Sequence, residues 1–493
     1  MFRERTPVWP WWLMALALLT HVVSAFHIGP LADEAYYWTW TQHLQLSYFD
    51  HPPMVAWMMW PFTALLGDTL FAIRLPMVLA WFITAAFIYL AAMRFSRNHM
   101  AALSSLLIWS SLPIIMGGFH VATPDTPLVM LTAISFYFYL RSLDTGRDSD
   151  WMLTGFAAGC ALLAKYTAIL IPGALFLALL LTRRGRGLLA TSGPWLAVLI
   201  MLLVFMPVVI WNAQNDWASF LFQFKHGVKE LAPAPGELLL AFIIGQLGIV
   251  MPWTFLAMAL TALPIYKPGT DPLQRLSLQL GFWIPILVFG IAGLTSPSGA
   301  NWTLSAFVPG SLLLGHWLAN WLVKKAGRWR AAVTMVLFLL PLLLVNIVRF
   351  PGWMEKAGFN PAQRTQLTHS YGWEKVGRQL QRELSTYGAR AQTCTVLAMN
   401  YQLASQIALL LGDSHRVSTD PASRISQYDY WRRDDMDYCL YVEQYDRPDQ
   451  TRPQTKQIKG LGEWYRSYLL QIDNPDNTVR WFAFFTPAEF SKN

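Results

Sequence analysis

Apolar stretches of about 20 residues, each long enough to cross the hydrocarbon of a bilayer as a helix, recur at 8–28, 70–93, 100–118, 127–140, 194–211, 237–265, 277–295, 303–322 and 331–350. No other feature constrains the fold so tightly, because a segment in hydrocarbon must satisfy its backbone N–H and C=O groups internally and therefore coils into a helix. The stretch from Trp151 to Thr182 is interrupted by Lys165 and reads as two shorter helices, 152–164 and 167–182, that meet at the lysine. Eleven spans are expected in all. With 54% hydrophobic and 13% charged residues, the chain carries more apolar surface than a single water-soluble domain can hide. The first run has no small-residue cleavage site, so it is expected to remain as an anchor.

Charge orients these spans. Up to Phe350 there are 20 Lys/Arg and 13 Asp/Glu, and after it 17 and 16. The positive excess therefore lies in the apolar part, which suits loops against an anionic membrane surface and not the polar basic face of a nucleic-acid binder. A cytoplasmic N-terminus puts 15 of those 20 cations inside, in Arg3/Arg5, Arg94/Arg97, Arg141/Arg147, Arg183/Arg184/Arg186, Lys267/Arg275 and Lys324/Lys325/Arg328/Arg330. An odd number of spans then exports everything after Phe350. Residues 351–493 change character and read as a small soluble α/β domain, with helical spacing at Gly372–Tyr387 and Asn400–Leu411 and strands at Thr393–Ala398, Cys439–Val442 and Val479–Phe485. The three cysteines, Cys160, Cys394 and Cys439, offer no disulfide framework and no CxxC spacing for a metal. The expected architecture is a multi-pass α-helical membrane domain, 1–350, followed by a periplasmic α/β domain, 351–493.

Eight of the 13 acids before residue 351 fall in or beside outward segments: Asp33, Glu34, Asp50, Asp68, Asp125, Asp216, Glu230 and Glu237. Any chemistry is therefore expected on the outer face. The first outer loop, GPLADEAYYWTWTQHLQLSYFDHPPMVAW, pairs two carboxylates, crowds aromatics that suit the headgroup level, and sets Asp50-His51 before two prolines. The second, GGFHVATPDTPL, holds Asp125 between Pro124 and Pro127 at the start of a span, where a bland helix cap is the simplest reading. Lys165 is costly between two apolar helices unless it snorkels to the interface or meets an anion.

Taken in order, DEAYYW, YFDHPP, TPDTPL, LAKYTA and ANW resemble motifs of the bacterial aminoarabinose-transferase and protein O-mannosyltransferase group of class C glycosyltransferases. The exported domain is similar too, in NYQLASQIALLLGDSHRV and QYDYW. The resemblance implies a class C glycosyltransferase fold in a bacterial inner membrane, a polyprenyl-phosphate-linked sugar donor, and a lipid-linked, glycan or protein acceptor on the periplasmic face. By position it implies that Asp33 is the catalytic base, with Glu34 and Asp125 beside it. Lys165 falls at a basic position near the donor phosphate. Tyr36, Tyr37, Asn301 and Trp302 lie in the same strings, His120 lies three residues before TPDTPL, and all five are expected to contact substrate. Where relatives resemble YFEKP this chain has YFDHP, so His51 stands in place of a lysine.

The leaving group would be a lipid phosphate, already a good anion, and cations suffice to stabilise it: protonated His51, Lys165 and Arg74. The acceptor hydroxyl must lose a proton, which is the role expected of Asp33, in a single inverting displacement. No outer motif forms a DxD pair, so no obligatory metal or cofactor is expected. The alternative function is a transporter or flippase of a lipid-linked saccharide, and a third is an inactive scaffold.

Overall fold

The computed structural model describes residues 9–227, 235–267, 269–323, 332–333, 335–348, 356, 369–446, 453–473 and 479–488. Its membrane part is helical: α1 (Trp9–His27), α2 (Ala32–Thr41), α3 (Met54–Leu66), α4 (Leu70–Ser96), α5 (His99–Ser111), α6 (Pro113–Gly118), α7 (Asp125–Thr145), α8 (Asp148–Ala164), α9 (Leu170–Leu181), α10 (Arg183–Leu189), α11 (Ser192–Gln214), α12 (Ala218–Gly227), α13 (Pro235–Val250), α14 (Pro252–Thr261), α15 (Pro272–Ala292), α16 (Phe307–Val323) and α17 (Leu340–Val348). Among the described residues α4, α11 and α15 are long and apolar enough to cross a membrane alone.

Several apolar runs are bent. The run 237–265, expected as one span, is α13 and α14 joined at 98°. Met251 at the joint has φ of 72° and is followed by Pro252, so the helix cannot continue through it. Pro113 likewise splits the run 100–118 into α5 and α6. The segment from Tyr166 to Leu181 turns through 108° into α10. The expectation of two helices meeting at Lys165 holds: α8 ends at Ala164, Lys165 is extended, and a 3-10 turn, Tyr166–Ile169, leads into α9. Helix α8, which ends just before the lysine, packs closely on α11. A Cβ at Gly155 would lie 2.1 Å from Ala197 O, and one at Gly159 2.7 Å from Val204 Cβ, so these two glycines, four apart, let α8 and α11 approach as only small residues allow.

The C-terminal part contains α18 (Trp373–Ser385), β1 (Thr395–Ala398), α19 (Tyr401–Leu411), β2 (Val417–Thr419), α20 (Gln427–Trp431), β3 (Tyr438–Tyr445), β4 (Thr455–Ile458), β5 (Gly462–Asp473) and β6 (Val479–Pro487). The sheet order is β2-β1-β3-β6-β5-β4, parallel at β1/β2 and β1/β3 and antiparallel beyond. Both expected helices and all three expected strands are present, and β2, β4 and β5 are additional. The cysteine reading needs correction: Cys394 and Cys439 form a disulfide with Cα atoms 5.7 Å apart, tying the start of β1 to β3. Parallel pairing of distant strands brings them together, which their separation in sequence of 45 residues hid.

A second correction concerns the first outer loop. Its aromatics do not sit at a lipid interface. Tyr36, Tyr37, Trp38, Trp40 and Tyr48 are buried in one apolar cluster with Trp373, Val396, Leu403, Ile407 and Phe482 of the C-terminal part. Helix α2 packs along α19, and Gln406 Nε2 donates to Pro30 O at 2.9 Å. Removing these rings from water on both sides of the seam holds the loop and the C-terminal part as one body.

Candidate active site

Helix α2 starts after Pro30, with Asp33 and Glu34 in its first turn, where unpaired N–H groups favour negative charge. Consecutive residues on a helix point about 100° apart, so the two acids separate. Glu34 turns inward and is fully buried, taking Arg74 Nε at 2.8 Å and Nη2 at 2.6 Å and the Ala122 N–H at 3.2 Å. Arg74 spends its remaining donors on the carbonyls of Ala25, Ile28 and Gly29, at 2.9, 2.6 and 2.9 Å. This corrects two expectations. The Arg74 fork has no group left for a donor phosphate, and Glu34 is locked into holding the N-terminal end of α2 against α4.

Asp33 faces the other way, into an open cavity of about 1650 Å³ whose wall also includes Tyr36, Tyr37, Asp50, His51, Asp125, Lys165, Asn301, Trp302, Tyr401 and Arg424. Its carboxylate is accessible within the cavity yet enclosed by protein. That enclosure raises its pKa above the usual carboxylate value, against the opposing pull of the Arg424 charge. No hydrogen bond or ion pair engages Asp33 among the described residues.

The three remaining motifs converge across the cavity. Asp125 does not cap α7. Its Oδ1 accepts from Lys165 Nζ at 2.8 Å and its Oδ2 from Asn301 Nδ2 at 2.7 Å, with no side-chain cap bond. Lys165 therefore meets an anion and does not snorkel. Trp302, next to Asn301, packs edge-on against Phe289 on the same wall. Tyr36 donates to Asp50 Oδ2 at 2.5 Å and its oxygen accepts the Gln427 N–H at 2.8 Å.

Two further expectations change. His120 is fully buried beside His21, ring centroids 6.2 Å apart, and lines no substrate cavity. His51 does line the cavity, but burial, with Lys165 and Arg424 adding to it, drives its pKa down to about 3, against the weaker pull of Asp125. It is a neutral ring at physiological pH and not a cation. A depressed folded pKa contributes stability that is present above the ordinary imidazole value and lost as pH falls toward the folded one. Acidification below pH of about 6.5 is therefore expected to lower the melting temperature of the wild type more than that of His51→Gln. Parallel melting curves of the two across this range would refute the buried neutral ring.

Arg424 was not singled out by sequence, since it lies in an ordinary polar stretch, PASRISQYDYW. Of the other aromatic and basic residues of the C-terminal part near this seam, Tyr401 reaches the cavity. Tyr428 is buried against Ser405, Trp431 stacks on His43 with centroids 4.1 Å apart, Arg432 bonds Thr419 O at 2.7 Å, and Arg433 pairs with Asp435. A second cavity, of about 1400 Å³, lies between the two parts and shares Asp33 and Thr123 with the first. Its wall includes Trp373, Asn400, Gln402, Gln406 and Gln444. Among the described residues no group of three or more His, Cys, Asp and Glu side chains is placed to hold a metal ion.

Residues 50–211 match the family described as dolichyl-phosphate-mannose-protein mannosyltransferase. The chain is 25% identical over 294 residues to the lipid A galacturonosyltransferase RgtD of Rhizobium johnstonii, covering 57% of this chain and 59% of that one. It is 27% identical over 340 residues to the undecaprenyl phosphate-alpha-4-amino-4-deoxy-L-arabinose arabinosyl transferase of Pseudomonas paraeruginosa, covering 64% and 60%. Its fold matches that of ArnT from Cupriavidus metallidurans, solved with undecaprenyl phosphate, at a TM-score of 0.63 and 16% identity over 97% of this chain and 98% of that one. The chain thus resembles glycosyltransferases in sequence and shares the fold of ArnT. The archaeal oligosaccharyltransferase AglB of Archaeoglobus fulgidus shares the fold more distantly, with a TM-score of 0.51 and 10% identity over 89% of this chain and 70% of that one. Within that fold the chain combines several apolar helices, three of them long enough to cross a membrane among the described residues, with a sheet-bearing C-terminal part. Its sequence matches span between half and three-fifths of the curated relatives' own lengths.

Proposed function

We propose that the protein is an inverting glycosyltransferase that moves a sugar from a polyprenyl-phosphate donor to an envelope acceptor on the periplasmic face of the inner membrane. The observation that carries this reading is Asp33: an unpaired carboxylate on the wall shared by two cavities, with a raised pKa. The cavity lined by Lys165, Arg424 and apolar Ile169, Leu170, Val288 and Phe289 suits an amphiphile with a phosphate head. The cavity lined by Trp373 and four side-chain amides suits a glycan, because an indole face and amide donors match a sugar's C–H and O–H surface.

In this reading an acceptor hydroxyl attacks the anomeric carbon, its proton passes to Asp33, and the anomeric C–O bond breaks toward the lipid phosphate. The Asp125–Lys165–Asn301 group fixes that side of the cavity and presents the lysine charge to the leaving phosphate. Tyr36, Tyr37 and Trp302 form walls on which the donor sugar rests. No metal or cofactor is assigned a step. The division into 1–350 and 351–493, the eleven spans and the cytoplasmic N-terminus belong to the proposal. It is supported by loop one and the C-terminal part packing on the same face and by a disulfide that suits an oxidising compartment.

The transport reading is less well supported, since the relatives are named as transferases. Purified protein should transfer label from a radiolabelled polyprenyl-phosphate sugar to extracted envelope glycolipids. Movement of the labelled lipid across a vesicle bilayer, with no transfer, would favour the transporter instead. The acceptor is lipid A, another glycan or a protein, and mass spectrometry of the labelled product would identify it.

A further inference from the structure

Two cationic side chains line the donor cavity among the described residues, Lys165 and Arg424. They are held differently. Lys165 is 8% exposed and committed at 2.8 Å to Asp125. Arg424 comes from the C-terminal part and reaches down across the seam to pair with Asp50. Its side chain is 44% exposed, and the guanidinium lies near the rings of Phe222 and Tyr401, 5.1 and 5.0 Å from their centroids. Flanking rings fix the plane of a guanidinium without using up its N–H groups. Of the five donors on that fork, Asp50 and the Tyr401 hydroxyl engage a part, and among the described residues the rest have no other partner and can meet a ligand.

The loop that carries Arg424 is clamped. Gln427 Oε1 accepts the Phe49 N–H at 2.7 Å, its own N–H donates to Tyr36 at 2.8 Å, and Gln223 Nε2 donates to Asp50 O at 2.8 Å. The cation is thus built into the cavity wall by loop one and is not a surface side chain that happens to lie nearby. Asp50 is nearly fully buried and accepts from Tyr36 through one oxygen and from the arginine through the other.

We infer that Arg424 is a donor-phosphate-binding residue supplied by the C-terminal part, so that the donor site is incomplete without that part. The inference rests on the glycosyltransferase reading above. A phosphate oxygen would take the N–H groups of the fork that Asp50 leaves open, in competition with that carboxylate, while the two flanking rings keep the guanidinium in place. The bound lipid would then fasten the C-terminal part onto the membrane helices through the same side chain.

A simple tie between the two parts makes the opposite prediction for one variant, which provides the test. The full-length protein in detergent is titrated with undecaprenyl phosphate, and donor KM and kcat are measured alongside. Arg424→Gln is expected to weaken undecaprenyl phosphate roughly tenfold to a hundredfold, the range for a lost hydrogen bond to a charged group, and Arg424→Lys to recover part of that. Asp50→Asn removes the competing carboxylate and frees the fork, so affinity is expected to hold or tighten. Equal weakening by Arg424→Gln and Asp50→Asn would show that the pair is only a tie between the parts and overturn the inference. Should Arg424→Gln fail to fold, the Arg424→Lys and Asp50→Asn pair decides: weakened and held affinity respectively support it, and parallel losses overturn it. Wild-type protein that neither binds undecaprenyl phosphate nor transfers sugar would instead sink the glycosyltransferase reading. Wild-type binding left unchanged by Arg424→Gln sinks the arginine's role alone.

Discussion

Replacing Asp33 with Asn is expected to cut sugar transfer by roughly 10²–10⁴-fold, the usual worth of a positioned general base. Undecaprenyl phosphate affinity should stay within about twofold, since the substitution removes a proton acceptor and no phosphate contact. Among the described residues the side chain makes no hydrogen bond, so the near-isosteric amide costs the fold little. The base acts only when deprotonated, so activity should fall as pH drops through its pKa. Enclosure has lifted that pKa above the ordinary carboxylate value of 3.8. The positive charge of Arg424 opposes the lift, and Arg424→Gln should therefore move the acidic limb of kcat/KM to higher pH. An Asn variant that turns over at the wild-type rate would remove Asp33 from the chemistry.

Arg74→Met is expected to damage the fold. The guanidinium and Glu34 are 1% and 0% exposed, so removing one partner strands a charge with no water to solvate it. Losses of about 3–5 kcal/mol are typical when a buried pair is broken from one side. Here three backbone carbonyls lose donors as well. Pairing Arg74→Met with Glu34→Gln should recover a substantial part of the loss, because the stranded charge is then gone. Thermal unfolding of the two single variants and the double variant in one detergent measures this. A stable Arg74→Met protein with weakened donor binding would return the arginine to the phosphate site, against the geometry described above.

The neighbours Asp33 and Glu34 show how far a sequence can carry such a site. Both were legible as acids on a segment between apolar runs, and nothing in their order says which one faces the cavity. The helix decides it, because adjacent residues on α2 point in different directions and only one meets Arg74. Asp125 and Lys165 were each ambiguous alone, as a cap and a snorkelling amine. Their 2.8 Å contact removes both bland readings at once. His51 was read as a cation because imidazole titrates near neutrality, yet burial beside Lys165 holds it neutral.

Elsewhere the misses have one cause. The bent α13–α14 segment looked continuous because an apolar run records composition and not direction, although Pro252 was the local sign. Cys394 and Cys439 looked unpaired because strand pairing is a long-range property. Arg424 carried no signal in a polar stretch whose position over the membrane helices follows from packing of α2 on α19.

What the sequence determined by itself was the solvent each segment must face. Hydropathy is a sum over neighbours in the chain, so the apolar helical part and the polar C-terminal part were both readable. Only the tertiary structure decided which charges are spent on one another and which remain for a ligand. That depends on a few ångströms between residues as distant in sequence as Asp50 and Arg424, and burial magnifies the result, because a charge withdrawn from water must find its partner within the fold.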